Sequence, residues 1–191
     1  MNTHLEIEFK QLLSKEIYDQ IKESLFAFKL PWTQTNHYFQ DRQGILSKLR
    51  YSLRVREAFD TYEFTLKIPQ GFSKLEINDL ISKENYQRLL NHENFESPVL
   101  DELKKVNVFV EDLILLTSLT TKRYEIKYQG GVLCIDESHY HGITDYEMEF
   151  EAEDEQTGMQ IFTSLLNQYH LTYEGNCPGK FTRALQTLNT E

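Results

Sequence analysis

The chain has few of the residues that break or divide a fold. Among its 191 residues there are only four prolines and eight glycines, and nowhere do they gather with serine into a flexible linker. No internal repeat or low-complexity segment interrupts the sequence. A chain of this length is large enough to bury an apolar core, and we therefore expect a single domain over residues 1–191.

Cysteine and long apolar runs are also scarce. No stretch of about 18 consecutive apolar residues is present, which excludes a membrane-spanning helix. The first residues are charged and contain no apolar segment of the kind that directs secretion. We therefore expect a cytoplasmic protein in which the two cysteines, Cys134 and Cys177, remain free thiols.

Basic residues are outnumbered as well. The chain carries 20 Lys and Arg against 30 Asp and Glu, a formal net charge of −10. Binding to nucleic acid or to an anionic membrane needs a basic surface, so we expect neither as a partner. The composition leaves the oligomeric state open.

What the sequence does contain is a series of short alternating segments. In the first of them, the apolar Leu5, Ile7 and Phe9 alternate with charged residues, as in a strand with one apolar face. About eight such segments are separated by short turns. The strands are expected at residues 4–10, 32–41, 49–59, 61–68, 74–79, 115–129, 132–140 and 144–154.

Amphipathic helices are predicted between and after these strands from apolar residues at helical spacing. Ser14, Ser82 and Ser97 stand where the N-caps of three helices are expected. The predicted helices cover residues 12–28, 82–92, 97–107, 155–171 and 178–188. The expected fold class is α+β, dominated by antiparallel strands, with helices packed outside.

The polar faces of the strands carry charges that are sorted by sign. Acidic residues outnumber basic ones on the first and the last strand, and basic residues outnumber acidic ones on the strands at residues 49–59 and 115–129. For any single strand, a solvated face is the simpler interpretation. The sorting across strands, with apolar faces left for the helices to cover, favours instead a closed barrel whose charged faces point inward. A barrel of about eight strands has room for one small ligand.

An interior that carries both bases and paired acids suits a polyphosphate. Lys and Arg bind phosphate oxygens directly, and carboxylates become compatible with the same anion once Mg²⁺ or Mn²⁺ lies between them. Such a metal can also activate water, and phosphoryl transfer needs little beyond positioning and charge stabilisation. We therefore expect a small polyphosphate or triphosphate as the substrate and Mg²⁺ or Mn²⁺ as the cofactor.

Several motifs, in chain order, resemble those of the CYTH superfamily, the triphosphate tunnel metalloenzymes that include class IV adenylate cyclase and thiamine triphosphatase. EIEFK resembles the N-terminal ExExK signature, and LRVR and TLK resemble the basic strands of the family. KLEI is similar to its next acidic strand, YEMEFE to its late ExExE strand and GKFTRAL to its C-terminal (S)KYxRAL segment. The resemblance spans the chain and is to the bacterial triphosphatase type.

The resemblance implies an eight-stranded antiparallel tunnel, formed by a single CYTH-like domain, with assigned site residues. The implied triphosphate-binding residues are Lys10, Arg54, Arg56, Lys67, Arg123, Lys180 and Arg183. The implied metal ligands are Glu6, Glu8, Glu147 and Glu149, with Glu76, Asp136 and Glu151 as secondary candidates. The implied catalytic set is Glu6, Glu8, Lys10, Glu147 and Glu149.

The sequence is compatible with three functions. The first is metal-dependent hydrolysis of inorganic tripolyphosphate or of a small organic triphosphate. The second is a class IV type of adenylate cyclase, in which the ribose 3′-oxygen of ATP attacks the α-phosphorus and pyrophosphate leaves. The third is a polyphosphate or organic-phosphate binding protein without turnover, which the retained acidic strands disfavour.

Overall fold

The computed structural model describes residues 2–188 and contains eight strands and six α-helices. The strands are β1 (Asn2–Leu13), β2 (Trp32–Asp41), β3 (Ser52–Ala58), β4 (Thr61–Gln70), β5 (Ser73–Ile81), β6 (Leu113–Tyr128), β7 (Gly131–Tyr140) and β8 (Ile143–Ala152). The helices are α1 (Lys15–Leu25), α2 (Ile45–Leu49), α3 (Lys83–Leu90), α4 (Pro98–Lys104), α5 (Glu155–Gln168) and α6 (Lys180–Leu188).

The eight strands form a closed antiparallel barrel in the order β1-β5-β4-β3-β2-β6-β7-β8. This confirms the predicted α+β class and the eight-stranded barrel. Among the described residues, none of the helices has the length and apolar character needed to cross a membrane. Cys134 and Cys177 are free thiols, as expected.

The backbone groups into two compact units. The first unit contains residues 2–5 and Gln34–Leu119, and the second contains Glu6–Thr33 and residues 120–188. The strands β1, β2 and β6 each contribute residues to both units. The single domain expected over residues 1–191 stays a prediction.

The first unit has its own apolar core on one face of β3 and β4. Leu53 and Val55 of β3 and Phe64 of β4 are fully buried, and they belong to one cluster with Leu89 of α3 and Leu100 of α4. Because side chains alternate along a strand, the residues between them point to the opposite face. Arg54, between Leu53 and Val55, is one of these.

The second unit repeats this arrangement with different helices. Phe9 of β1, Ile135 of β7 and Phe150 of β8 pack in one buried cluster with Ile21 of α1 and Phe162 of α5. The helices therefore cover the apolar face of these strands, and the charged residues that alternate with Phe9, Ile135 and Phe150 lie on the other face.

Most predicted helices begin where their caps indicate. Ser14, Ser82 and Ser97 each accept a hydrogen bond from a backbone amide two or three residues later. These bonds satisfy amides that the first helical turn leaves without a partner.

The sequence prediction missed α2: it assigned no element to residues 45–48 and began a strand at residue 49, whereas β3 begins at Ser52. The buried carboxylate of Asp41 accepts hydrogen bonds from the amides of Gln43 at 3.0 Å, Ile45 at 2.9 Å and Leu46 at 2.8 Å. The amides of Ile45 and Leu46 are the first two of α2, a helix of five residues, which is too short to give a helical apolar period.

The contact between α5 and β1 depends on the absence of a side chain at Gly158. A Cβ atom there would lie 2.5 Å from the Cβ of Ala152 and 2.6 Å from the ring of Phe9. Replacing glycine by alanine inside a helix normally stabilises it by about 1 kcal/mol. We expect Gly158→Ala instead to lower the free energy of unfolding by about 1–3 kcal/mol, because packed groups must move apart.

Urea denaturation would measure this change, with Gln160→Ala, at an exposed position inside the same helix, as the control. That substitution changes no buried contact, so the variant should unfold close to the wild type. Equal stability of the Gly158→Ala variant and the wild type would contradict the close contact between α5 and β1.

Candidate active site

Charged side chains of β1, β6, β7 and β8 are aligned by the strand register within the second unit. Lys10 lies opposite Glu149, and Arg123 lies opposite Asp136. Asp136 in turn lies opposite Glu147. Residues directly opposite each other in an antiparallel pair have neighbouring side chains on the same face, so the register brings bases and acids together.

Lys180 at the start of α6 joins these strands. Its Nζ atom lies 2.9 Å from the carboxylate of Asp136, 2.9 Å from Glu147 and 2.6 Å from Glu149. One ammonium group, which has three donors, therefore contacts three carboxylates from two neighbouring strands.

Three further cations complete the arrangement. Arg123 donates from Nε to Asp136 at 2.8 Å and from Nη2 to the second oxygen of Asp136 at 2.6 Å, and it also contacts Glu149. Lys10 forms an ion pair with Glu8 and lies 3.7 Å from Glu149.

The fourth cation, Arg183, lies one helical turn after Lys180. Its Nε atom is 2.8 Å from the carboxylate of Asp145, and its Nη1 atom is 2.5 Å from Glu147. We refer to the whole set as the charge cluster: Glu8, Lys10, Arg123, Asp136, Asp145, Glu147, Glu149, Lys180 and Arg183.

Much of the charge cluster is removed from solvent. Asp136 and Glu147 are 0% exposed, and Lys10, Glu149 and Arg183 are each 8% exposed. In such surroundings charged groups interact strongly, and a charge without a partner is costly. These charged side chains can therefore be buried only because each of them is paired with an opposite charge.

Burial and neighbouring charges shift the pKa values of the two β8 glutamates, Glu147 and Glu149, in opposite directions. Burial raises the pKa of Glu147 against the attraction of Lys180, and the adjacent Glu149 adds to the rise. Burial also acts to raise the pKa of Glu149, but Lys180, Arg123 and Lys10 together hold it well below its usual range. A pair of carboxylates with separated proton affinities is typical of functional sites.

The two cysteines take no visible part in acid–base chemistry. Burial raises the pKa of Cys134 well above its ordinary value, and burial raises that of Cys177 to about 11. Both thiols are therefore protonated at neutral pH and poorly nucleophilic.

A second group of charged residues lies in the first unit, on the face of β3, β4 and β5 opposite the apolar core. Arg54 is 9% exposed, and Arg56 lies 3.7 Å from the carboxylate of Glu63. Lys67 forms an ion pair with Glu76, directly opposite it on the neighbouring strand.

The predicted site residues thus fall into two groups. The second unit brings together Glu8, Lys10, Arg123, Asp136, Glu147, Glu149, Lys180 and Arg183, whereas the first unit holds Arg54, Arg56, Lys67 and Glu76. Glu6 is buried on β1. Glu151 is exposed near the end of β8, opposite Glu8 in the register.

Sequence reasoning missed Asp145, which belongs to the charge cluster. It accepts hydrogen bonds from Arg183 and, at 2.6 Å, from the hydroxyl of Tyr140. Asp145 stands two residues before Glu147, on the same face of β8, and this alternation was a signal that could have identified it.

The oxygen ligands of the charge cluster fit a hard divalent cation. Within residues 2–188, no three His, Cys, Asp or Glu side chains form a ready-made metal site. Mg²⁺ usually takes only one or two carboxylates and completes its shell with water and substrate phosphates. Asp136, Glu147 and Glu149, which converge on one ammonium, provide ligands of this kind.

Comparison with known proteins gives a consistent result. A family model described as the CYTH domain matches residues 4–176. A Bacillus subtilis protein named "Putative triphosphatase YjbK" is 34% identical over 172 residues, which is 90% of this chain and 90% of that protein.

Solved structures show the same fold. A crystal structure of a "putative adenylate cyclase" from Bacillus halodurans has a TM-score of 0.87 at 33% identity and covers 96% of this chain and 98% of its own. A protein from Hippeastrum, described as a "putative adenylyl cyclase" with dominant triphosphatase activity, has a TM-score of 0.77 at 20% identity and covers 96% of this chain and 95% of its own. At that identity the likeness shows the fold alone.

The raised pKa of Glu147 predicts a pH-dependent effect of Glu147→Gln on stability. Between the ordinary pKa of a glutamate and the raised value in the folded state, the folded protein binds more protons than the unfolded chain. This contribution therefore lowers the stability of the wild type as pH rises. The Glu147→Gln variant has no carboxyl to titrate at this position. The difference between its free energy of unfolding and that of the wild type should therefore shift in favour of the variant from about pH 5 to about pH 8.

Urea denaturation over a series of pH values would measure the difference. Glu153→Gln, which changes an exposed carboxylate just after β8, is the matched control. A stability difference between Glu147→Gln and the wild type that stays constant with pH would contradict the raised pKa.

Proposed function

The chain belongs to the CYTH domain family, and on that premise we propose that it is a metal-dependent triphosphatase acting as one CYTH-like domain over residues 1–191. Its substrate is inorganic tripolyphosphate or a small organic triphosphate. The observation that carries the proposal is the convergence of three buried carboxylates, Asp136, Glu147 and Glu149, on Lys180 beside Arg123.

A purely structural role does not account for so many buried charges. Replacing a buried ion pair by well-packed apolar residues is often neutral or stabilising, and the interior of a barrel of about eight strands can be filled by side chains alone. Binding of a highly charged ligand would explain why charged residues occupy these positions despite the cost of desolvating them.

The charge balance of the cluster supports a metal together with an anion. Four cations (Lys10, Arg123, Lys180 and Arg183) face five carboxylates (Glu8, Asp136, Asp145, Glu147 and Glu149). A triphosphate that recruits the cations would leave the carboxylates without compensation. A divalent cation restores the balance, and enzymes of this family depend on a metal.

We propose Mg²⁺ or Mn²⁺ as that metal, because the available ligands are carboxylate oxygens. Glu6, Glu8, Glu147 and Glu149 would hold it, with Asp136, Glu76 and Glu151 as secondary candidates. Once bound, it would draw charge from phosphoryl oxygens and make a bound water more acidic.

The cations of the chain act on the substrate itself. Lys10, Arg123, Lys180 and Arg183 would bind phosphate oxygens, orient the triphosphate and stabilise the charge that develops on the leaving phosphate. On the resemblance to the basic strands of the family, we also propose Arg54, Arg56 and Lys67 as phosphate-binding residues.

Adenylate cyclase is the second candidate, and it is favoured by the likeness to the Bacillus halodurans protein described as a cyclase. In that reaction the 3′-oxygen of ATP would attack the α-phosphorus, and pyrophosphate would leave. The same cations could hold the triphosphate, so the two reactions differ in how ATP is seated and not in the charged groups required.

The proposed function predicts phosphate release from purified protein with Mg²⁺ or Mn²⁺. Tripolyphosphate, ATP, GTP and thiamine triphosphate form the substrate panel, and the ATP reaction is also assayed for cyclic AMP. We expect metal-dependent release of phosphate from at least one triphosphate. Cyclic AMP as the main product would favour the cyclase, and tight binding without turnover would replace both by a binding protein.

The assigned residues predict large losses of activity. Glu147→Gln and Arg54→Ala should each lower kcat/KM about 100-fold or more, as for other pre-organised charge contacts. Circular dichroism would verify the fold of each variant, and Glu153→Gln, at an exposed position, should retain the wild-type rate. A folded Glu147→Gln variant with unchanged activity would remove Glu147 from the catalytic set.

A further inference from the structure

Asn176 lies in the segment between α5 and α6 and connects that segment to β1. Its Nδ2 atom donates to the carbonyl oxygen of Glu8 at 2.7 Å, and its Oδ1 atom accepts from the amide of Lys10 at 2.7 Å. The next residue continues the contact, because the amide of Cys177 donates to the carbonyl of Lys10 at 3.4 Å. One amide side chain thus satisfies two backbone groups of the strand that bears Glu8 and Lys10.

We propose that Asn176 is a positioning residue, which holds the C-terminal segment on β1 and thereby sets the place of the Lys180 ammonium among its three carboxylates. This inference rests on the proposed function, since it concerns the same site. Asn176 itself is exposed and acts through Lys180, four residues later.

The orientation of the Asn176 amide is determined by its neighbours. The hydroxyl of Tyr173 donates to Oδ1 at 2.8 Å, so the oxygen accepts two hydrogen bonds while the nitrogen serves the Glu8 carbonyl. The ring of Tyr173 packs edge-on against Phe162, with centroids 5.3 Å apart, and against Phe9 at 6.1 Å. The apolar core of the second unit therefore anchors the amide.

The other side of Lys180 is held as well. Arg183 donates from Nη1 to the carbonyl oxygen of Pro178 at 2.5 Å and binds Asp145. The backbone around Lys180 is thus fixed before it by Asn176 and after it by Arg183. Because a displacement of about 1 Å in a catalytic group can cost a factor of 100 in rate, releasing one of these contacts should impair the site without altering any of its charges.

The first test needs no substrate and measures how accessible the Lys180 amine is to a chemical reagent. Wild type, Asn176→Ala and Asn176→Asp are treated briefly with an acetylating reagent, and the acetylation of each lysine is determined by mass spectrometry. Lys180, whose side chain is 9% exposed, should react several-fold faster in both variants. The exposed Lys29 should react at the same rate in all three proteins.

The second test is a double-mutant cycle on catalysis. Asn176→Ala should raise the KM for the best triphosphate about tenfold in the wild-type background. It should have little further effect in a Lys180→Arg background, which keeps a positive charge among the carboxylates but already displaces the ammonium nitrogen, because Asn176 acts through Lys180. Equal effects in both backgrounds would overturn the proposal. Asn167→Ala, at an exposed position of α5, is the matched control and should leave KM unchanged.

Two outcomes separate this inference from the proposed function. Faster acetylation of Lys180 in the variants of a protein that hydrolyses no triphosphate would support the positioning role and contradict the triphosphatase. If the protein hydrolyses a triphosphate but Lys180 is acetylated at the same rate in all variants, the triphosphatase is supported and the positioning role is contradicted. If Asn176→Ala does not fold, Tyr173→Phe, which removes only the orienting hydroxyl, should produce a smaller acceleration in the same direction, and no change would overturn the proposal.

Discussion

The ammonium of Lys180, held between three buried carboxylates, is the interaction on which the rest of the site depends. Asp136 and Glu149 also bind Arg123, and Glu147 also binds Arg183. Removing the ammonium would leave like charges facing one another where water has little access, which is among the costliest arrangements in a protein interior. The strands, the last helix and the ion pairs are therefore mutually required, and none of them explains the site alone.

This mutual requirement also explains how one surface can serve an anion and a cation. A site made only of bases would bind phosphate and give it no chemical assistance, whereas one made only of acids would repel it. In the charge cluster each base already has an acid as its partner, so a triphosphate and a metal can each replace one half of an existing pair. The charges of the protein are already removed from water before binding, so binding adds only the cost of desolvating the ligands.

Strand alternation made much of the fold predictable, because a period of two assigns each residue to a face. Phe9 was expected on the apolar face of the first strand and is fully buried. Features formed by single side chains were not predictable. Asp41 accepts hydrogen bonds from the amides of Gln43, Ile45 and Leu46, of which the last two belong to α2. Asn176 bonds to residues more than 160 positions away. Neither contact produces a periodic pattern in the sequence.

The contact between β1 and the segment around Asn176 has a consequence for the order of folding. It joins residues 166 positions apart, nearly the full length of the chain, and Lys180 and Arg183 lie beyond residue 176, where the match to the family model ends. Contacts of such long range form late, because a large loop must close first. During synthesis the carboxylates of β7 and β8 leave the ribosome before Lys180 and Arg183, so the charge cluster can assemble only after residue 183 has emerged.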